Sequence, residues 1–264
     1  MTTPDTRNSA AEVPLIAVFI DFENLAIGVR DMKVGKFQIQ LVLKRLLEKG
    51  RIVFKRAYCD WRNYADAVRE FHTQGVELID IPQTKMSGKN SADIRMVVDA
   101  LDLCYSKQHI DMFALISGDS DFSPLVSKLK ENNKRVIGCG VKRSTSDLLI
   151  VNCDEFIYYD DLIRLAEKVQ AKEKKPKGKE TTGDKQQEAI DRVLEVIHSV
   201  EQDYDPLWAS HLKMAIRRVY PGFNEGYYGY RSFLDLLKDL KSKGFVDLEY
   251  DEARENYKVR IAKD

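Results

Sequence analysis

The chain contains little that would form a zinc site, a disulfide framework or a membrane anchor. Its four cysteines and four histidines are scattered, and no CxxC pair or His–Cys cluster predicts a zinc site. The cysteines are Cys59, Cys104, Cys139 and Cys153. No apolar run approaches the ~20 residues of a membrane-spanning helix, and the polar residues 1–12 do not resemble a secretion signal. Unpaired cysteines favour a reducing compartment, so we expect a cytoplasmic protein.

An excess of charge of one sign is also absent, because 42 basic residues balance 42 acidic ones. Binding to nucleic acid would therefore depend on local patches rather than on overall charge. The strongest local bias is the lysine-rich stretch 168–180, which has few apolar residues and contains Pro and Gly. This composition predicts a charged flexible linker over residues 166–186. Its lysines could also attract phosphates.

The first part of the chain alternates short apolar runs with helical patterns. This alternation predicts an α/β domain whose mostly parallel sheet is flanked by helices. The predicted strands are 15–20, 51–58, 76–81, 112–117, 135–139 and 156–158, and the predicted helices lie near 37–49, 62–73, 92–106, 122–132 and 145–151. Gly50, Gly75 and Asn133 follow three of these helices, where a left-handed cap residue is expected.

The pattern changes after the lysine-rich stretch. Apolar residues at helical spacing predict three helices, which begin near Ile190, Trp208 and Phe233. Residues 245–250 and 256–261 then alternate like two paired strands. Three helices followed by a hairpin indicate a small winged-helix domain. The predicted organisation is a tail over 1–12, an α/β domain over 13–165, the linker over 166–186 and the winged helix over 187–264.

Aspartates follow two of the predicted strands, at the points where the strands end. Asp21 follows the first run, and Asp119 and Asp121 follow the run at 112–117. In parallel sheets, ligands bind at the carboxyl ends of the strands. An aspartate there can also simply cap the next helix or turn.

The pair Asp119 and Asp121 is harder to explain by capping alone. Ser123 and Pro124 supply a cap and a first-turn proline for the helix that follows. Carboxylates this close raise each other's pKa unless a cation neutralises them. The motif therefore predicts a metal site, for which Mg²⁺ or Mn²⁺ suits the oxygen ligands.

Asp93 adds a third segment to this hypothesis. It shares a face of the helix 92–106 with Val97 and Ala100, at the first turn. A carboxylate on the buried side of a helix start needs a partner, which is either a cationic side chain or a metal. In the loop before it, Lys85 and Lys89 could reach phosphates.

Several motifs in this part of the chain resemble those of the NYN domain, most closely its LabA-like branch, within the PIN-like nuclease superfamily. They are FIDFEN at 19–24, KNSAD at 89–93, VDA at 98–100, SGDSDF at 117–122, PLV at 124–126, SDLL at 146–149 and CDEF at 153–156. The resemblance covers about residues 13–163. It implies a PIN-like, Rossmann-like fold and metal-dependent cleavage of phosphodiester bonds, usually in RNA.

The family's acidic metal site would correspond to Asp21, Asp93, Asp119 and Asp121, with Asn24 as a supporting residue. The chain departs from the family pattern at 90–92, which replaces a shorter glycine-containing approach to Asp93. Two further departures are Asn133, where glycine is common, and Cys153, where alanine is usual. None of these changes removes a carboxylate.

The last part, about 187–263, resembles the OST-HTH or LOTUS domain, a winged helix linked to RNA binding. The matching residues are Trp208, Leu212, Ile216, VYPGF at 219–223, YGY at 228–230, Phe233, Leu236 and Leu237. Cations and aromatic rings here could contact phosphates and stack on bases. The candidates are Lys213, Arg217, Arg218, Arg231, Tyr227, Tyr228 and Tyr230. Two alternatives stay open: these side chains could simply pack the fold, or the domain could bind a protein partner.

The leading hypothesis is a metal-dependent endoribonuclease that acts on single-stranded RNA. The alternative is a non-catalytic RNA-binding regulator that retains the same fold, and a homo-oligomer stays open. An aspartate-nucleophile phosphatase is disfavoured, since Glu23 stands where a second aspartate would be needed. A nucleotide-binding Rossmann domain is disfavoured too, because no Gly-rich loop follows the first strand.

Overall fold

The computed structural model of the protein describes residues 13–32, 35–82, 90–173, 182–201 and 204–262. The chain divides into two compact units. The first unit comprises residues 1–37 and 50–157, and the second comprises 38–49 and 158–264. Within the described ranges, no helix combines the length and the apolarity needed to cross a membrane.

A six-stranded sheet organises the first unit. Its strands are β1 (Leu15–Asp21), β2 (Arg51–Cys59), β3 (Glu77–Asp80), β4 (Met112–Ile116), β5 (Arg135–Gly140) and β6 (Glu155–Tyr158). They lie in the order β3-β2-β1-β4-β5-β6, and the pairings from β3 to β5 are parallel. The predicted α/β fold with a mostly parallel sheet is therefore confirmed.

Helices alternate with these strands along the sequence and continue to the end of the chain. They are α1 (Phe22–Met32), α2 (Ile39–Lys49), α3 (Ala65–Thr73), α4 (Ser91–Ser106), α5 (Ser123–Glu131), α6 (Asp147–Asn152), α7 (Tyr159–Glu173), α8 (Thr182–Val200), α9 (Ala209–Val219) and α10 (Phe233–Ser242). Short 3₁₀ turns lie at 61–63, 120–122 and 142–144.

Strand β1 is the centre of the sheet and its most apolar element. Residues 16–20 are fully buried because β2 and β4 flank the strand and helices cover both faces, which is typical of parallel sheets. Phe19 stacks between Tyr58 and Phe113, with ring centroids 6.4 and 6.0 Å away. The strand order reverses between β1 and β4, and this switch point is where α/β sheets open a crevice for ligands.

Helix α1 is absent from the predicted helices, although a capping role for Asp21 is among the alternatives that the sequence leaves open. The structure shows that Asp21 immediately precedes this helix, and its Oδ1 accepts a hydrogen bond from the Asn24 backbone N–H at 3.3 Å. The capping role that the sequence left open for Asp21 is therefore real. It coexists with the position of Asp21 at the carboxyl edge of the sheet.

The three predicted left-handed caps have different outcomes. Gly75 and Asn133 have φ values of 63° and 57°, as expected. Gly50 is not among the residues with positive φ, so this part of the prediction is wrong. Glycine is needed there for another reason, since a Cβ atom at Gly50 would lie 2.5 Å from the carbonyl oxygen of Pro14.

Part of the range predicted as a linker, 166–186, is helical. Helix α7 continues to Glu173 and α8 begins at Thr182. Residues 174–181 lie outside the described part of the chain. The prediction from charge and composition therefore missed two helix ends, because lysine and glutamate are as compatible with an exposed helix as with a linker.

The second unit contains the predicted three helices and hairpin. Helices α8, α9 and α10 pack around one apolar core with a three-stranded sheet. The strands are β7 (Leu207–Trp208), β8 (Val246–Asp251) and β9 (Asn256–Ile261), in the antiparallel order β7-β9-β8. Helix α2 belongs to this unit as well, and its Lys44 Nζ contacts Glu195 Oε1 at 2.6 Å and the Tyr220 hydroxyl at 3.0 Å.

Candidate functional site

Asp21 is a buried carboxylate at the end of β1, with only 7% of its surface exposed. The Ser117 hydroxyl donates a hydrogen bond to its Oδ2 at 2.8 Å. Burial raises the pKa of Asp21 to about 7, although the bond from Ser117 opposes this shift, and the charges of Asp93 and Asp119 add to it. The ends of β1 and β4 are thus joined at a site where negative charge is unfavourable.

Asn24 links the same two segments through its side chain. Its Oδ1 accepts a hydrogen bond from the Gly118 backbone N–H at 3.0 Å. The amide thereby holds the loop that carries Asp119 against the first turn of α1. This contact gives Asn24 a positioning role, which is consistent with the supporting function that the family resemblance implies.

Asp119 and Asp121 lie in the loop after β4. Asp119 Oδ1 accepts a hydrogen bond from the Asp121 backbone N–H at 2.9 Å, so it caps the 3₁₀ turn at 120–122. The expectation that Ser123 caps the next helix is wrong. Phe122 occupies the N-cap position of α5, and the buried Ser123 hydroxyl has no hydrogen-bond partner within the described ranges. Pro124 does occupy the first turn.

Asp93 lies in the first turn of α4 and is half-buried. It is on the side of the helix that buries Met96 and Ala100. Burial, together with the negative charges of Asp119, Asp121 and Glu23, raises the pKa of Asp93 to about 6. The carboxylates of three separate chain segments are therefore electrostatic neighbours. In the described part of the chain, no Lys or Arg side chain forms an ion pair with Asp93.

The residues fit a divalent cation in charge and in donor type. Four carboxylates supply the oxygen ligands that Mg²⁺ and Mn²⁺ prefer. The pKa values of Asp21 and Asp93 are raised first by burial and then by neighbouring negative charge, which a cation would neutralise. Among the described residues, however, no three His, Cys, Asp or Glu side chains already converge as ligands of one ion. Ion binding would therefore have to draw the carboxylates together.

Two residues near the cluster were not singled out from the sequence. Ser117 orients Asp21, but a serine after a strand carries no distinctive signal. Glu23 follows Asp21 directly, and its charge acts on Asp93. In contrast, Asp99 lies outside the cluster, because it pairs with Arg56 at 3.2 Å and Arg95 at 2.9 Å.

Gly118 lets two loops approach closely beside the cluster. A Cβ atom at this position would lie 2.6 Å from the Ser144 carbonyl oxygen and 2.9 Å from the Thr145 Cα. We expect Gly118→Ala to destabilise the protein by about 1–3 kcal/mol, since backbone atoms must move to relieve the overlap. Urea unfolding followed by far-UV circular dichroism would measure this as a lower midpoint.

Gly222→Ala is the matched control. Nothing lies within 4 Å of a Cβ atom at Gly222, and its φ is not positive. The control should therefore change stability by less than about 1 kcal/mol. Equal midpoints for the two variants would contradict the close approach seen at Gly118.

The predicted RNA-binding cations have different environments in the structure. Lys85 and Lys89 lie outside the described residues. Lys213 Nζ contacts Glu225 Oε1 at 2.9 Å, and Arg218 donates to the backbone carbonyl oxygens of Leu47 and Glu48 at 2.8 and 2.9 Å. Arg217 and Arg231 are exposed. Among the described members of this set, these last two are therefore the cations most accessible to a phosphate.

The predicted stacking tyrosines are mostly packed inside the second unit. Tyr228 and Tyr230 are only 4% and 8% exposed, and the Tyr230 hydroxyl donates to Asp239 Oδ2 at 2.7 Å. A base could stack on either ring only after the core is repacked. Tyr227 is 59% exposed, and Lys185 Nζ lies 4.6 Å from its ring centroid. It is the tyrosine of this group that a base can reach.

The fold and the site together define an α/β protein with an acidic cluster at the switch point of its sheet, followed by a winged helix. The chain belongs to the NYN family, because residues 15–174 match the NYN domain. Residues 185–254 match the OST-HTH/LOTUS domain. The predicted resemblances to the NYN domain and to the OST-HTH/LOTUS domain are confirmed. NYN domains belong to the PIN-like nuclease superfamily, and OST-HTH/LOTUS domains are associated with RNA binding.

Two individual relatives support the first assignment. An uncharacterized protein of Methanocaldococcus jannaschii is 29% identical over 162 residues, which are 61% of this chain and 62% of that protein. A crystal structure of a protein of unknown function from Vibrio parahaemolyticus has a TM-score of 0.50 and 26% identity. The match covers 58% of this chain and 97% of the Vibrio protein. Neither relative has an assigned activity in its description.

Proposed function

We propose that the protein is a metal-dependent ribonuclease that hydrolyses internal phosphodiester bonds of single-stranded RNA. The observation that carries this proposal is the buried carboxylate of Asp21 at the carboxyl edge of the sheet, which Ser117 ties to the loop of Asp119. Burial raises the pKa of Asp21 and of Asp93, and the charge of Asp119 adds to both shifts. Buried carboxylates with further negative charge beside them are expected to bind a cation. The NYN and OST-HTH/LOTUS matches support phosphodiester chemistry on RNA.

The four aspartates would hold Mg²⁺ or Mn²⁺, with Asp21 and Asp93 buried most deeply. Such an ion supplies Lewis acidity, lowering the pKa of water and offsetting negative charge on a phosphate. Ser117 keeps one Asp21 oxygen in a fixed direction through its hydrogen bond. Asn24 fixes the loop of Asp119 in the same way. Contacts of this kind restrain ligand side chains before a metal binds.

Residues of the second unit would add affinity for the RNA strand. Arg217 and Arg231 are exposed, and Tyr227 offers an accessible ring. Exposed cations bind phosphates without regard to sequence, while a ring can stack on any base. This combination favours a single strand with little sequence preference.

The spacing of the carboxylates in the described part of the chain favours a second candidate function. Because no three described acidic side chains converge as ligands of one ion, the chain could act as a non-catalytic RNA-binding regulator. This alternative predicts that RNA is retained without turnover and that binding survives Asp119→Asn.

The test is a cleavage assay with the full chain, a labelled circular RNA, and either Mn²⁺, Mg²⁺ or EDTA. A circular substrate is cut only by an endonuclease. We expect cleavage with a metal ion and none in EDTA. Asp119→Asn should abolish cleavage. The fold of the loop should persist, because the asparagine side-chain oxygen can still accept the hydrogen bond from the Asp121 backbone N–H. The absence of cleavage with every metal, or equal cleavage by the variant, would refute the nuclease, and RNA binding without turnover would support the regulator.

A further inference from the structure

A cleft with a volume of about 390 Å³ lies in the first unit, outside the acidic cluster. It is formed by the last turn of α1 and the 3₁₀ turn at 142–144, which follows β5. The residues that line it are Gly28, Arg30, Asp31, Arg143 and Ser144. Two of its five lining residues are therefore arginines, brought together from positions more than a hundred residues apart in the sequence.

The two arginines differ from others in the same unit. Arg56 and Arg62 each contact an acidic side chain at 2.6 Å, and Arg95 contacts one at 2.9 Å. Arg30 and Arg143 are exposed, and within the described ranges neither forms an ion pair or a side-chain hydrogen bond. Unpaired guanidinium groups in a concave site match the fork geometry of phosphate recognition.

The charge of the cleft matches one phosphodiester. Asp31 also lines it, and its carboxylate offsets one of the two arginines, although it is not within ion-pair distance of either. The cleft therefore carries a net charge of +1 when its three ionisable residues are charged. A single backbone phosphate carries one negative charge, whereas a nucleotide polyphosphate would bring more charge than the cleft neutralises.

The cleft adjoins the loop that carries the acidic cluster. The Ser144 hydroxyl lies close to α1, because a Cβ atom on Gly28 would be 2.6 Å from it. A Cβ atom on Gly118 would likewise be 2.6 Å from the carbonyl oxygen of Ser144, and Gly118 directly precedes Asp119. Ser144 therefore lies close both to α1 and to the loop that carries Asp119.

We propose that this cleft binds a backbone phosphate of the RNA strand through Arg30 and Arg143, next to the phosphodiester presented to the acidic cluster. The second half of this statement rests on the proposed ribonuclease function. The first half, that the cleft binds the RNA backbone, does not. Arg30 and Arg143 would position the strand and would not take part in bond cleavage.

The test measures RNA binding without cleavage. Fluorescence anisotropy of a fluorescein-labelled 12-nucleotide uridine RNA in EDTA compares the full chain with the double variant Arg30→Gln, Arg143→Gln. We expect affinity to fall about tenfold at low salt. The slope of log K against log salt concentration should become shallower by about 1, since binding to the variant neutralises one phosphate fewer and releases correspondingly fewer counterions. Because Arg30 and Arg143 are both exposed, the double variant should have the same thermal unfolding midpoint as the unmodified chain.

Arg69→Gln is the matched control. Arg69 is an exposed arginine on α3 of the same unit, forms no ion pair within the described ranges, and does not line the cleft. Its loss should alter affinity by less than about twofold. The cleft proposal would be overturned if the unmodified chain showed no detectable binding or if the double variant had no effect. It would also be overturned if Arg69→Gln reduced affinity as much as the double variant does. Binding that depends on the two arginines, without cleavage in Mn²⁺, would keep the cleft and refute only the nuclease.

Discussion

The variant Asp21→Asn is expected to be more stable than the unmodified protein at pH 8 in EDTA, by about 2–4 kcal/mol. The reason is the burial that raises the pKa of Asp21 from 3.8 to about 7. The folded state holds this proton more tightly than the unfolded state does. The contribution of Asp21 to stability is therefore fully present below pH 3.8 and is lost as the pH rises towards 7. Asparagine is neutral at every pH and can still accept a hydrogen bond from Ser117.

Urea unfolding in EDTA at pH 5 and pH 8 would measure this difference. The gain in the free energy of unfolding should be larger at pH 8, where the native carboxylate is ionised. The control is Asp102→Asn, because Asp102 is exposed on α4 and its replacement should have little effect at either pH. A variant that is less stable than the unmodified protein at pH 8 would show that hydrogen bonding to Asp21 outweighs its burial.

The variant Asp93→Asn is expected to cleave RNA at least about 100-fold more slowly in Mn²⁺. A metal ion contributes several kcal/mol to transition-state stabilisation, and each 1.4 kcal/mol corresponds to about tenfold in rate. Asp93 would supply one ligand of the metal ion, and it is the aspartate of the proposed site that lies on α4. The rate constant at saturating RNA is the quantity to compare.

The comparison again uses Asp102→Asn, which removes the same charge from the same helix but from an exposed position. Its cleavage rate should stay within about twofold of the unmodified protein, since exposed charges are largely screened. Raising the Mn²⁺ concentration should partly restore Asp93→Asn if the lost carboxylate binds metal. Full activity of Asp93→Asn would remove this residue from the site.

The architecture was largely predictable because buried strands leave a clear pattern in the sequence. Residues 15–20 and 112–116 contain only apolar side chains, and runs this short are typical of strands covered on both faces. The prediction failed where two signals coincide. The start of α1 carries Asp21 and Glu23, and their acidic motif concealed the beginning of a helix.

The candidate site was predictable only as a set of carboxylates. Their positions at strand ends and at a helix start follow from periodicity, but their partners do not. The bonds that Ser117 and Asn24 make depend on β1 pairing with β4, which the sequence does not specify. The burial of Tyr228 and Tyr230 is likewise a tertiary effect, because an aromatic residue in a turn pattern suits a core as well as a binding face.

The bond between Ser117 and Asp21 joins residues 96 positions apart. Contacts of such separation are expected to slow folding, because closing a long loop costs conformational entropy before β1 and β4 can pair. The acidic cluster also draws on Asp93 and Asp121, so no short fragment contains it. During synthesis, a growing chain consequently lacks the complete set of carboxylates until Asp121 has left the ribosome.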